Sequence, residues 1–235
     1  NEHLAPEWNY GYGETSNSIS MSFLPGHVLV EESTPTSASN LDWYIEKFME
    51  GDRPEQNKKQ FYEACNRAVS ELPADQSDVV FVPYLFASAT HPDAKAAFFN
   101  LTCYNERKHV MRAIYAGVVF SSLFHVKRLM TDGRNFKKAR ISGGLTNSPL
   151  WTQMMADALQ IPLEVLAAPE LSALGAAMCA GIGSGVFADF EDAVSNMVKV
   201  EKVYEPNPVL KEIYARKYAL YERAQCALET FHNAE

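Results

Sequence analysis

"KKARISGGLTNSPLWTQMMADAL" (residues 137–159) passes from a strand-like segment through a Gly-Gly pair into a helical one. The strand is expected to end at Ile141-Ser142. Gly143 and Gly144 can take backbone torsions closed to other residues, and they leave their N–H groups bare. Ser148 stands just before Pro149, and Ser as N-cap with Pro at the first helical position is a strong helix start. Leu150, Met154 and Ala158, with Trp151, Met155 and Leu159, then supply an apolar surface at helical spacing. A bare loop beside a capped helix N-terminus, at the carboxyl end of a strand, is where α/β domains bind ligands. Taken alone, the pattern leaves two readings open: a tight turn, or a shelf for a flat ring.

The flanking sequence sets this unit among others of its kind. "PLEVLA" (162–167) reads as a strand and "ELSALGAAMCAGI" (170–182) as a helix. Ala173, Gly175, Ala176, Ala177 and Ala180 make that helix small enough to pack close to a neighbouring backbone. Upstream, "DVVFVPY" (78–84) and "KAAFFNLT" (95–102) read as strands, and residues 105–130 as a long helix. Its stripe is Val110, Ala113, Ile114, Gly117, Ser121 and Phe124, with a small middle that lets another element approach. Residues 18–32 read as two short strands joined at Pro25-Gly26. Residues 36–50 follow as a helix capped by Ser39 or Asn40, and 55–71 as another. The last helix starts at Asn207-Pro208, with Leu210, Tyr214, Tyr221, Leu228 and Phe231 as its apolar face. Strands alternate with helices from residue 78 onward, which predicts an α/β domain with a mixed or parallel sheet flanked by helices.

Composition narrows the function. The chain has 235 residues, 47% of them hydrophobic, with a formal net charge of −8. That charge argues against nucleic acid or an anionic membrane as a partner. It does not argue against a nucleotide, because local backbone amides bind phosphate whatever the overall charge. The four cysteines, at 65, 103, 179 and 226, form no CxxC and suit a reducing cytoplasm. Ala173–Ile182 is too short to cross a bilayer, and no signal peptide is visible. "GYGETS" (11–16) lacks the third glycine of a dinucleotide fingerprint, and "GIGSG" (181–185) follows a helix, so neither is a Rossmann site. The six histidines are isolated and read as surface or satisfied core residues rather than metal ligands. "ERKH" (106–109) reads as a solvated first turn.

The segment "ISGGLTNSPLWTQMMADALQIPLEVLAAPELSALGAAMCAGIGSGVF" (141–187) resembles the carboxyl-terminal domain of the FGGY carbohydrate kinases. The shared gapped pattern is Gly-Gly, Ser, Trp-x-Gln, Ala-Asp, then Glu-x-x-Ala-Leu-Gly-Ala-Ala. "VPYLFASATHP" and "RAIYAGVVFS" fall where the family places its middle motifs. "LPGHVLVEESTPTSASNLDWYIEKFM" (24–49) further resembles the xylulokinase-like branch, most closely its L-xylulose kinases.

The resemblance implies an actin-like (ribonuclease-H-like) ATPase domain. Residues 1–235 would be the nucleotide-binding, carboxyl-terminal domain of a two-domain cytoplasmic sugar kinase, with its own amino-terminal domain as partner. It implies transfer of the ATP γ-phosphate, with Mg²⁺, to a hydroxyl of a ketopentose such as xylulose. Gly143 and Gly144 would lie against adenosine, Ser148 would approach the adenine, Leu145 and Asn147 would line the same edge, and Asn100 would stand near the triphosphate. No catalytic residue is expected within the chain: the general base, an aspartate, is expected upstream, so the chain alone is expected to be inactive. Three departures stand out. Asn100 and Ala116 replace the usual Gly and Glu, and "LFASATHP" lacks the Gly-Glu-Arg of many members. The competing reading is a non-catalytic actin-like module that binds nucleotide and regulates. A homodimer fits either reading.

Overall fold

The computed structural model describes residues 18–22, 24, 26–49, 58–88, 93–130, 135–168 and 170–232. "GYGETS" lies outside them, as does the end of "VPYLFASATHP". Among these described residues, seven strands and seven α-helices follow in the order β1 (Ser18–Met21), β2 (Val28–Glu31), α1 (Ser39–Phe48), α2 (Lys58–Ser70), β3 (Val80–Val82), β4 (Ala97–Phe99), α3 (Arg107–Leu129), β5 (Ala139–Ile141), α4 (Pro149–Leu159), β6 (Leu163–Leu166), α5 (Leu171–Gly183), α6 (Phe190–Met197), β7 (Val200–Tyr204) and α7 (Lys211–His232). β1 and β2 pair antiparallel, as do β3 and β4. β5 pairs parallel with β6, which pairs antiparallel with β7, so this sheet is mixed, as the sequence predicts.

The core forms around α3. The helix buries Met111, Ala113, Ile114, Tyr115, Gly117, Val118, Val119, Phe120, Ser121, Leu123 and His125. That is most of its circumference rather than the single stripe expected, because β3, α1, α2, α4 and α7 pack around it. α3 has the length and apolar character to cross a membrane, yet 61% of that stretch is buried inside the fold. The small middle serves as expected. A Cβ on Gly117 would stand 2.4 Å from the Phe81 carbonyl oxygen, so only glycine lets α3 lie against β3.

The helix ends correct several expectations. Ala38, not Ser39 or Asn40, occupies the α1 N-cap position; Asn40 is inside the helix and donates to the Ser37 carbonyl. His109 is more than a solvated residue: its Nδ1 accepts the Glu106 backbone N–H at 2.9 Å and completes a capping box on α3. Asn207 does cap the final helix, through a 3₁₀ turn at Pro208–Leu210, and α7 proper begins at Lys211. Phe231 is 75% exposed and falls off the α7 apolar face. The sequence pattern predicts neither α6 nor β7. β7 ("VEKVY") is exposed at all but its last residue, so its sequence carries little periodic signal. α5 does not pack closely through its alanines: Ala173, Ala176, Ala177 and Ala180 are exposed, and a Cβ on Gly175 would meet nothing within 4 Å. Among its described glycines, Gly181 makes the tight approach, against the Phe187 ring.

Candidate functional site

The Gly-Gly loop leaves β5 and turns at Gly143, whose φ of +91° lies where glycine is favoured. Gly144 begins a short 3₁₀ helix, Gly144–Asn147, and does not use a left-handed torsion. A Cβ built on either glycine meets nothing within 4 Å, so the loop's outer surface is open. The inner surface is pinned. Thr146 N–H and Oγ1 both donate to the Gly143 carbonyl, at 3.0 and 2.8 Å, and Ser148 N–H donates to the Leu145 carbonyl at 3.0 Å. Leu145 packs on the core, while Asn147 is exposed at the end of the turn.

Ser148 caps α4 as expected: its Oγ accepts the Trp151 N–H at 3.1 Å. It is buried, and its hydroxyl proton goes inward to Asn66 Oδ1 at 2.7 Å. Asn66 Oδ1 also accepts the Tyr115 hydroxyl at 2.8 Å. One amide oxygen on α2 therefore ties α3 to the shelf. Tyr115 stacks on Trp151 at 4.1 Å between ring centres, and Trp151 Nε1 donates to the Tyr115 carbonyl at 2.9 Å. Burial pushes the Tyr115 hydroxyl well above its ordinary range, which keeps it a neutral donor. Sequence reasoning missed Asn66 because it lies on a separate helix, 82 residues from Ser148. Nothing in its local pattern marks it.

Two other polar residues of α4, Gln153 and Asp157, hold the helix to the segment that joins β7 to α7. Asp157 is buried, and its Oδ1 accepts both the Gln153 amide at 2.9 Å and the Asn207 backbone N–H at 2.8 Å. Gln153 also donates to the Glu205 carbonyl at 2.8 Å. Trp151, Gln153 and Asp157 thus fix α4, and through it the loop at its N-terminus.

Asn100 lies apart from this loop. It follows β4 with φ +60°, a torsion Asn tolerates better than most residues and glycine better still. Its Nδ2 donates to the Asp78 carbonyl at 3.1 Å, beside β3. The described hydrogen bonds join Gly143, Leu145 and Ser148 into one unit and do not extend it to Asn100. Among the described residues, no three His, Cys, Asp or Glu side chains gather as a metal site.

The same arrangement of elements occurs in known proteins. The profile of the FGGY family of carbohydrate kinases, C-terminal domain, matches residues 10–184. The L-xylulose/3-keto-L-gulonate kinase of Escherichia coli (strain K12) is 30% identical over 95% of this chain and 42% of its own length. A protein described as a probable L-xylulose kinase, from Pasteurella multocida (strain Pm70), is 34% identical over 87% of the chain and 39% of its own. The crystal structure of xylulose kinase from Rhodospirillum rubrum superposes with a TM-score of 0.80, at 28% identity, over 92% of this chain and 43% of that one. The chain thus spans about two fifths of the length of the relatives it matches. The fold shared with these sugar kinases is the expected actin-like α/β fold.

Proposed function

Because the chain belongs to the FGGY family of carbohydrate kinases, we propose that it is the ATP-binding half of an enzyme that phosphorylates a sugar hydroxyl. The observation that carries this reading is the open shelf at Gly143–Asn147, bare outside and clamped inside. Adenosine would lie on Gly143 and Gly144, where no side chain intrudes, with Leu145 and Asn147 along its edge. Ser148 would hold the shelf in place rather than touch the adenine, since its hydroxyl is committed to Trp151 and Asn66. Asn100 would stand on the triphosphate side, where its left-handed torsion keeps the backbone turn that a glycine would make.

ATP supplies the transferred phosphoryl group. Mg²⁺, held through the phosphates and one or two carboxylates, would offset the charge of the transferring group. This chain's own contribution is to hold the donor in line while the acceptor and general base come from the amino-terminal domain. The exposed alanine face of α5 is the surface on which that domain would close, and closure would exclude water from the transfer. Similarity to L-xylulose and xylulose kinases makes a ketopentose the leading acceptor.

The test is a coupled ADP-release assay on the full-length protein across ketopentoses and polyols. ADP release dependent on a ketopentose is the expected result. Saturable ATP binding with no sugar-dependent ADP release would instead establish the regulatory module.

A further inference from the structure

A cavity with mostly apolar walls lies between α3, α7 and the strand β3, built by residues that the shelf does not use. It has a volume of about 30 Å³, room for about two waters. Its walls include Phe81, Ala116, Gly117 and Met154, and its charged lining is Arg112 from α3, Lys217 from α7 and, between β3 and α2, Asp78.

The two cations are unequally compensated. Arg112 donates from Nη1 to the Val69 carbonyl at 3.1 Å and has no carboxylate within ion-pair distance among the described residues. Asp75 acts on it only through space, and the Tyr214 hydroxyl beside it is held neutral by burial, its pKa pushed up to about 12. Lys217 has a side chain 12% exposed, donates to the Ser77 carbonyl, and lies 3.5 Å from Asp78. Asp78 is on the rim, 52% exposed, and makes its shorter ion pair, at 3.1 Å, with Arg216. Burial lowers the pKa of both Arg112 and Lys217; on Lys217 the Asp78 carboxylate opposes the shift, and the charges of Arg216 and Arg112 add to it. Arg112 is thus a half-buried cation with no ion-pair partner among the described residues, a costly state whose simplest remedy is an anion beside it.

We infer that this cavity binds a small monoanion, of the size of chloride or a carboxylate group, between Arg112 and Lys217. The walls leave no space for a nucleotide, so the site is separate from the adenosine shelf. Ala116 is one helical turn from Arg112, the spacing at which a carboxylate and a guanidinium pair. A glutamate there would supply the missing counter-charge from within the chain.

The direct experiment is a bromide soak of crystals of the full-length protein. Anomalous density between Arg112 and Lys217 is the expected result, and none at saturating bromide overturns the site. In solution, chloride and formate should each raise the thermal midpoint saturably, against a bulky sulfonate at the same ionic strength. Ala116→Glu and Lys217→Met should each abolish that saturable rise. An undiminished rise in both variants would also overturn the proposal. If either variant fails to fold, the bromide result on the unaltered protein still decides.

Discussion

Gly117 and Gly144 are both glycines at the meeting of a helix and a strand system, and they do opposite work. At Gly117 the hydrogen is the only substituent that fits, because the Phe81 carbonyl occupies the place of a Cβ. At Gly144 the place of a Cβ is empty. The first glycine is a packing residue, required by the strand that stands opposite it. The second creates a bare surface that the fold itself does not use. In a single sequence the two look alike; the difference lies in what stands opposite.

Substitution separates them. Gly117→Val pushes α3 off β3, and overpacking of this kind costs about 3 kcal/mol, so chemical denaturation should show the largest loss of stability here. A stability within experimental error of the parent would mean that the helix and strand separate without cost. Gly144→Val should leave stability within about 0.5 kcal/mol. Steady-state kinetics of the full-length enzyme should show its ATP KM raised about tenfold, about 1.4 kcal/mol, with kcat for the sugar little changed. An unaltered ATP KM would remove adenosine from the shelf.

Ser148→Ala sharpens the contrast from inside the loop. Loss of an N-cap costs about 1 kcal/mol, and Asn66 loses one of its two hydroxyl donors. Unfolding curves should show the loss, and ATP KM should rise less than in Gly144→Val. A larger rise than in Gly144→Val would mean that Ser148 meets the nucleotide directly.

The smallest effect concerns the strand that leads into the shelf. Hydrogen bonds from Lys138 at 2.6 Å and Arg140 at 3.1 Å hold the Glu164 carboxyl below its usual range. A carboxylate with a depressed folded pKa contributes stability that is full above its unfolded pKa, about 4.3, and is lost as pH falls through the lower folded value. Thermal midpoints followed from pH 7 downward should therefore fall more steeply for the parent than for Glu164→Gln below about pH 4. Parallel curves would show that the β5–β6 ion pairs carry no net coupling.

The sequence by itself determined the shelf's location and the elements around it. Local signals suffice for these: Ser148-Pro149 is a start signal readable in two residues, β5 and β6 each set apolar residues on either side of a charged one (Ala139, Arg140, Ile141; Leu163, Glu164, Val165), and α3 is a long apolar helix whose small middle shows in Gly117 and Ser121. The family pattern was legible for the same reason, since its glycines and cap residues act through backbone geometry near their own positions. Tertiary structure decided the rest, because each remaining feature depends on a partner far along the chain. Asn66 became the clamp of the shelf only when α2 came beside α3 and α4. The α5 alanines, read as a packing surface, are exposed in this chain, since what a small residue touches is set by whichever surface reaches it. Arg112 and Lys217, 105 positions apart and unremarkable in the sequence, share a cavity because α3 and α7 both pack on β3. Spacing along the chain encodes torsions and helix faces, whereas charge pairing and open space come from elements that meet only when the core closes.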